Sequence, residues 1–204
     1  MQTKSSPHFF VIAGPNGAGK SFTSNKLLEP FGITAFDWDM RFNQLWGDFD
    51  FDPRLIEGLT QSVNSEFEEH IKKAFTNHQS VAYETNFHSE YNLNLAKKAK
   101  KLGYSLSLYF LALKDPEIGI QRVAERVLHG GHNVSEITIR ERFEMGLKLL
   151  NDKALSFYDK IMIYDSADQF KLQLVIEDKK LVYQSNQLEM KIINKLNNFK
   201  LMMS

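Results

Sequence analysis

Gly14-Pro15-Asn16-Gly17-Ala18-Gly19-Lys20-Ser21 is a complete G-x-x-x-x-G-K-[ST] pattern. Its setting decides the fold. Phe9-Phe10-Val11-Ile12-Ala13, just before it, is a short apolar run suited to a fully buried strand, and Phe22 to Glu29 begins like a helix. In a strand–loop–helix unit, glycines let backbone N–H groups wrap a chain of phosphates, and the helix N-terminus adds positive potential. Lys20 would then reach the β- and γ-phosphates, and the Ser21 hydroxyl would ligate Mg2+. Gly14 through Phe22 are therefore the expected binding residues for ATP or GTP.

Working outward, apolar runs alternate with helical patterns. Ile33-Thr34-Ala35-Phe36 reads as a second strand running into Asp37-Trp38-Asp39. Pro53 opens a long amphipathic segment to about His78, with Leu55, Leu59, Val63, Phe67, Ile71 and Phe75 at helical spacing. Ser80 to Tyr83 is a third strand ending at Glu84-Thr85, and a helix from about Ser89 to Leu102 stops at Gly103. Tyr104 to Leu113 suits a central parallel strand. Pro116 starts a helix that Gly130-Gly131 breaks, Ser135 caps the next one, and Lys160 to Tyr164 is a fifth strand. Strands separated by helices imply right-handed βαβ units and a mostly parallel, five-stranded sheet in a three-layer α/β fold. Beyond it, Gln173–Ile176 and Leu181–Tyr183 flank a polar turn as a β-hairpin, and Asn186 to Leu201 is an amphipathic helix expected to pack on the same domain.

Composition narrows the function classes. The 204 residues are 43% hydrophobic and 25% charged, the make-up of an ordinary globular chain. Lys+Arg and Asp+Glu are both 25, so no overall charge favours nucleic acid or an anionic membrane. The absence of cysteine excludes disulfides, thiolate metal sites and a Cys nucleophile. Met1 to His8 lacks the apolar core of a signal peptide, and no apolar run reaches the roughly 18 residues of a membrane span. A cytoplasmic location is the expectation.

Ligands of open α/β sheets bind beyond the carboxyl ends of the strands, where polar residues cluster in this sequence. In Asp37-Trp38-Asp39, one carboxylate can face the γ-phosphate while the other supports it, as a kinase needs to orient an acceptor hydroxyl. Either Glu84 or Asp37 could serve as an outer-shell carboxylate for the metal, and Thr85 stands beside the substrate side. His88 reads as a packing or surface histidine. Arg122 and Arg126 are four apart, hence on one helical face, and lead into the Gly130-Gly131-His132 turn; Arg140 and Arg142 begin a second arm. Arginines ahead of a glycine hinge are how a lid brings positive charge to a transferring phosphoryl group. Trp38, Trp46 and Phe49 could stack a base.

The combination resembles the zeta-toxin family of P-loop kinases, especially its short chromosomal branch. The resemblance rests on Gly14–Ser21, Asp-x-Asp at 37–39, Tyr83-Glu84-Thr85, the Arg122-to-Arg126 block leading into Gly-Gly-His132-Asn-Val, Arg140, and Asp165-Ser166. It implies ATP- or GTP-dependent phosphorylation of a sugar nucleotide, with UDP-N-acetylglucosamine the toxin members' substrate. It matches Asp39 to the general base, Glu84 to the acidic residue on the substrate side, and Arg122 or Arg126 to the first phosphate-clamping arginine. A Gly-Gly-His turn stands where toxin members have a second lid arginine, so His132 or Arg140 would substitute or the role is absent; Asn86-Phe87-His88 also departs from the toxin pattern. The expected organisation is a kinase domain over residues 1–170, with a lid at about 117–145 and the hairpin and helix at 171–204. The expected acceptor is a small molecule with a hydroxyl, and the protein partner to expect is an antitoxin-like one not encoded in this chain. A nucleoside, nucleotide or polynucleotide-end kinase, or a nucleotide-dependent switch, are the alternatives.

Overall fold

The computed structural model describes residues 6–128 and 133–203. Its centre is β1 (His8–Ala13), within a parallel core ordered β2 (Ala35–Phe36), β3 (Val81–Thr85), β1, β4 (Ser105–Ala112) and β5 (Lys160–Asp165). β1 pairs with β3 from Phe9↔Val81 to Ala13↔Thr85, and with β4 from His8↔Ser105 to Ala13↔Phe110. After their first residue, β1 and β4 are buried at every position. Consecutive buried positions point to alternate faces, so both faces of the sheet are covered. That is why these strands read as unbroken apolar runs rather than alternating ones.

The intervening helices are α1 (Lys20–Leu28), α2 (Trp38–Gly47), α3 (Ile56–Asn77), α4 (Tyr91–Lys101), α5 (Pro116–Leu128) and α6 (Glu136–Leu149). A π turn at Leu150–Ala154 carries α6 into the single turn α7 (Leu155–Phe157). From β1 the chain proceeds to β2 and β3 on one side of the sheet and then to β4 and β5 on the other. The order reverses at β1, so the crevice beyond its carboxyl end lies at the switch point of the sheet.

Three features differ from expectation. The second strand keeps only Ala35 and Phe36, because Asp37 ends it by capping α2: its Oδ1 accepts from the Met40 N–H at 3.0 Å. This helix, which the Asp-x-Asp reading did not anticipate, packs Phe42 against Leu59 and Val63 of α3, with Trp38, Leu45 and Trp46 alongside. The sheet has seven strands, not five. β6 (Lys171–Glu177) pairs antiparallel with β5 and β7 (Lys180–Gln184) with β6, so the hairpin continues the sheet. The tail, expected as one helix, forms two short turns, α8 (Met190–Ile193) and α9 (Asn197–Lys200), broken at Leu196, whose φ of −117° and ψ of 66° are not helical. β-Branched and Asn residues around the break are weak helix formers. Burial sets the outcome: Ile192, Ile193, Leu196 and Phe199 are all fully buried in the main core.

Candidate active site

The phosphate loop joins β1 to α1 at the switch point. Gly14 and Gly17 have φ of 151° and 77°, values that disfavour any side chain. Space forbids one as well: a Cβ on Gly14 would lie 2.4 Å from the Leu111 carbonyl oxygen, and one on Gly17 would lie 2.7 Å from the Gly119 Cα. The contact is mutual, since a Cβ on Gly119 in α5 would lie 2.6 Å from the Asn16 carbonyl oxygen. The loop is thus clamped between β4 and α5, and its amides are held as a cradle that suits phosphate oxygens. The Gly14 N–H donates to the Thr85 carbonyl at 3.2 Å, which ties the cradle to the end of β3.

Lys20 lies beneath the loop. Its ammonium donates to the Gly14 and Pro15 carbonyls at 2.9 and 3.2 Å and to Asn86 Oδ1 at 2.9 Å. Burial lowers its pKa, and the charges of Asp39, Glu84 and Asp37 work against that. The Ser21 hydroxyl lies between two carboxylates: it donates to Asp37 Oδ2, and Glu84 Oε2 stands 3.1 Å away. A hydroxyl flanked by hard carboxylate oxygens beside a phosphate cradle fits Mg2+, which takes few protein ligands and keeps waters and phosphate oxygens.

Asp37 and Asp39 therefore differ in kind. Asp37 is buried, with one oxygen on the α2 cap and the other on Ser21. Asp39, in the first turn of α2, is half-buried and lines the main cleft, whose volume is about 1190 Å³. That exceeds the roughly 300–1,000 Å³ typical of a single small-ligand site, leaving room for a nucleotide and a second molecule.

Glu84 is 9% exposed. Burial, and then the Asp37 charge, raise its pKa from 4.5 to about 7, against the opposing pull of Ser24, Lys20 and Ser21. The native protein thus keeps a proton that the unfolded chain releases near pH 4.5. Between the two values stability falls as pH rises, by at most about 3 kcal/mol. Glu84→Gln, which cannot ionise, is expected to gain on the wild type in metal-free thermal melts between about pH 5 and pH 8. A difference that stays constant with pH would show that the ionised carboxylate is accommodated at no cost.

The other anticipated residues divide. Arg122 and Arg126 both line the cleft from α5. Arg122 donates to the Gly17 carbonyl at 3.0 Å and the Ser166 carbonyl at 3.2 Å, bracing the loop. Arg140 does not reach the cleft: it is ion-paired with Glu117 and lies 3.9 Å from Glu136. Two residues on, Arg142 does line it and approaches Asn16 Oδ1 at 3.5 Å. Arg140 and Arg142 both stand on the second arm, and Arg142 is the one that lines the cleft. His132 lies outside the described residues. Thr85 lines the cleft, though its hydroxyl accepts from the Phe87 N–H at 3.0 Å and so shapes the turn. His88, read as a packing residue, also lines the cleft, with its buried Nδ1 lacking a partner among the described residues. Trp38 lines the cleft, whereas Trp46 donates to the Asp52 carbonyl at 3.0 Å and neither it nor Phe49 is among the cleft residues. Phe22, 82% exposed, stacks on Phe170 with centroids 6.1 Å apart at the cleft edge. Cleft residues that the sequence did not single out include Asn86, Ala167, Gln169 and Phe170. Gly119, in the middle of a helix, was a visible signal of close backbone approach.

A family model for zeta toxins matches residues 1–186. The chain belongs to the zeta-toxin family. It is a P-loop kinase, a nucleotide-dependent phosphotransferase. Among solved structures, one from the PezAT chromosomal toxin–antitoxin system of Streptococcus pneumoniae superposes with a TM-score of 0.64 at 16% identity, covering 96% of this chain and 79% of that one. A chain of the AvrRxo1-ORF1:-ORF2 structure with ATP gives 0.69 at 12% identity, covering 95% and 64%. A putative kinase from Chloroflexus aurantiacus gives 0.54 at 12% identity, covering 69% and 78%. At these identities the likeness is one of fold. No functionally curated sequence matches this zeta-toxin family member. No helix among its described residues is long and apolar enough to cross a membrane.

Proposed function

We propose that this protein transfers the γ-phosphoryl group of ATP or GTP to a hydroxyl of a small molecule, with Asp39 as the base. The observation that carries the reading is the division of labour between the two aspartates. Both Asp37 oxygens are engaged by the α2 cap and Ser21, while Asp39 lines the cleft near enough to Lys20 for its charge to oppose the lowering of the Lys20 pKa by burial.

The acceptor oxygen forms a bond to the γ-phosphorus, the bond from that phosphorus to the β–γ bridging oxygen breaks, and the hydroxyl proton passes to the Asp39 carboxylate. Lys20 and the loop amides hold the β- and γ-phosphates. Ser21 would hold a bound Mg2+, with Asp37 and Glu84 orienting its waters, and the ion would neutralise charge on the phosphates. Arg126 and Arg142 approach from α5 and α6 to stabilise charge on the transferring group. Residues 117–145 act as the lid, His132 within it, on a kinase domain of residues 1–170 to which 171–204 add the sheet edge. The names of the PezAT and AvrRxo1-ORF1:-ORF2 structures support an antitoxin-like protein partner, and the resemblance supports a sugar nucleotide such as UDP-N-acetylglucosamine as one acceptor to try.

Nucleotide binding has a direct readout. A ligand at about 100 times its Kd stabilises a native state by roughly 2.7 kcal/mol. For a chain of this size that raises Tm by about 5–10 °C. Mg-ATP or Mg-GTP should produce such a shift, and the larger shift names the preferred nucleotide. A melt unmoved by either would overturn the proposal. Label from γ-labelled nucleotide appearing on an acceptor, rather than only as free phosphate, separates a kinase from a switch.

A further inference from the structure

The charges of the cleft are segregated. Its cations among the described residues are Lys20, Arg122, Arg126 and Arg142, all from the phosphate loop, α5 and α6. The wall formed by α2, α3 and the start of α4 presents neutral groups instead, among them Trp38, Asn43, Asn64, Phe67 and Tyr91. Asn43 lies one helical turn beyond Asp39 and so shares its face. Trp38 Nε1 donates to Asn64 Oδ1 at 2.9 Å, which fixes that amide and leaves its NH2 as the available donor. Phe67 and Tyr91 pack with centroids 6.4 Å apart.

The cation that α2 carries is withdrawn from this wall. Arg41 makes a two-point contact with Glu66, at 2.6 and 3.0 Å, and is not among the cleft residues. Glu68 adds its charge to the burial that raises the pKa of Tyr91. Asp39, in the first turn of α2, adds a carboxylate to the same wall. A ring-bearing molecule with hydroxyls finds stacking surfaces and amide donors here, whereas a phosphate on this wall finds the Asp39 carboxylate and, among the described cleft residues, no cation from α2, α3 or the start of α4.

We infer that the acceptor is an uncharged, ring-bearing hydroxyl compound of the nucleoside or simple glycoside class, and not a phosphate-bearing sugar nucleotide. This rests on the phosphotransfer proposed above. The step is the one already written, from ATP to a hydroxyl of the neutral ring, with ADP leaving.

The test offers the full chain γ-labelled Mg-ATP with matched acceptors: uridine against UMP, and N-acetylglucosamine against N-acetylglucosamine 1-phosphate and UDP-N-acetylglucosamine. The neutral member of a pair is expected to have the higher kcat/KM by about tenfold or more, the effect of one like-charge repulsion across a partly buried cleft. Equal use, preference for a phosphorylated member, or no labelling of any acceptor by protein that Mg-ATP stabilises would overturn the inference. Failure of Mg-ATP and Mg-GTP to stabilise the protein would instead remove the phosphotransfer reading on which it rests. Asn64 is exposed, so Asn64→Lys should fold. It is expected to narrow the neutral-to-phosphorylated ratio while leaving the Mg-ATP melting shift unchanged; an unaltered ratio would show that acceptors do not meet this wall.

Discussion

Asp39→Asn is expected to bind ATP with near-wild-type affinity and to transfer phosphate roughly 10²–10⁴-fold more slowly, the usual contribution of a positioned base. The amide is nearly isosteric, and Asp39 accepts neither the α2 cap bond nor the Ser21 hydroxyl, both of which belong to Asp37. Fold and nucleotide site should therefore survive. What changes is the chemistry at one oxygen: the amide cannot take a proton, and its NH2 presents a donor toward an acceptor hydroxyl. Asp37→Asn should act differently, because it weakens the cap, the Ser21 contact and the charge that helps hold a proton on Glu84. Its losses should appear in stability and metal dependence as well as rate. Melting curves, ATP titration and single-turnover transfer on the two variants separate these outcomes. Normal transfer by Asp39→Asn, with loss in Asp37→Asn or Glu84→Gln, would move the base elsewhere.

How much of this site was legible depended on how local its physics is. The phosphate loop was readable because its constraint is contained in eight consecutive residues: glycine where φ is positive, and Lys20 and Ser21 at fixed offsets. β1, β3 and β4 were readable because double-sided burial forces continuous apolar runs. α2 was missed although Trp38, Phe42, Leu45 and Trp46 mark an apolar stripe, since the stripe becomes decisive only once Asp37 caps the helix and α3 covers that face. Arg140 and Arg142 could not be ranked from sequence. Both lie on α6, and only the return of that helix against Asn16, with Glu117 of α5 capturing Arg140, decides which one faces the cleft. The hairpin was visible as a hairpin, but its joining to β5 runs through the short loop 166–170, which did not read as a turn between antiparallel strands.

Arg126→Ala is expected to lower phosphotransfer by roughly 10²–10³-fold, the cost of one preorganised donor to a developing charge, with a much smaller loss of ATP affinity. Charge on the transferring group is greatest in the transition state, so a contact made there reduces kcat and kcat/KM together. Arg122 supplies the internal comparison. It lies one turn earlier on the same face of α5, but its guanidinium donates to the Gly17 and Ser166 carbonyls. Arg122→Ala should thus loosen the loop itself and weaken ATP binding along with the rate. Arg140→Ala should do neither, because Arg140 is exposed and paired with Glu117 and Glu136, and ion pairs of that kind are worth only about 0–1 kcal/mol. Steady-state kinetics with ATP titration on the three variants would give this ordering directly. If Arg126→Ala changed stability alone while Arg140→Ala slowed transfer, the face of the lid that meets the phosphates would be the reverse of the one proposed.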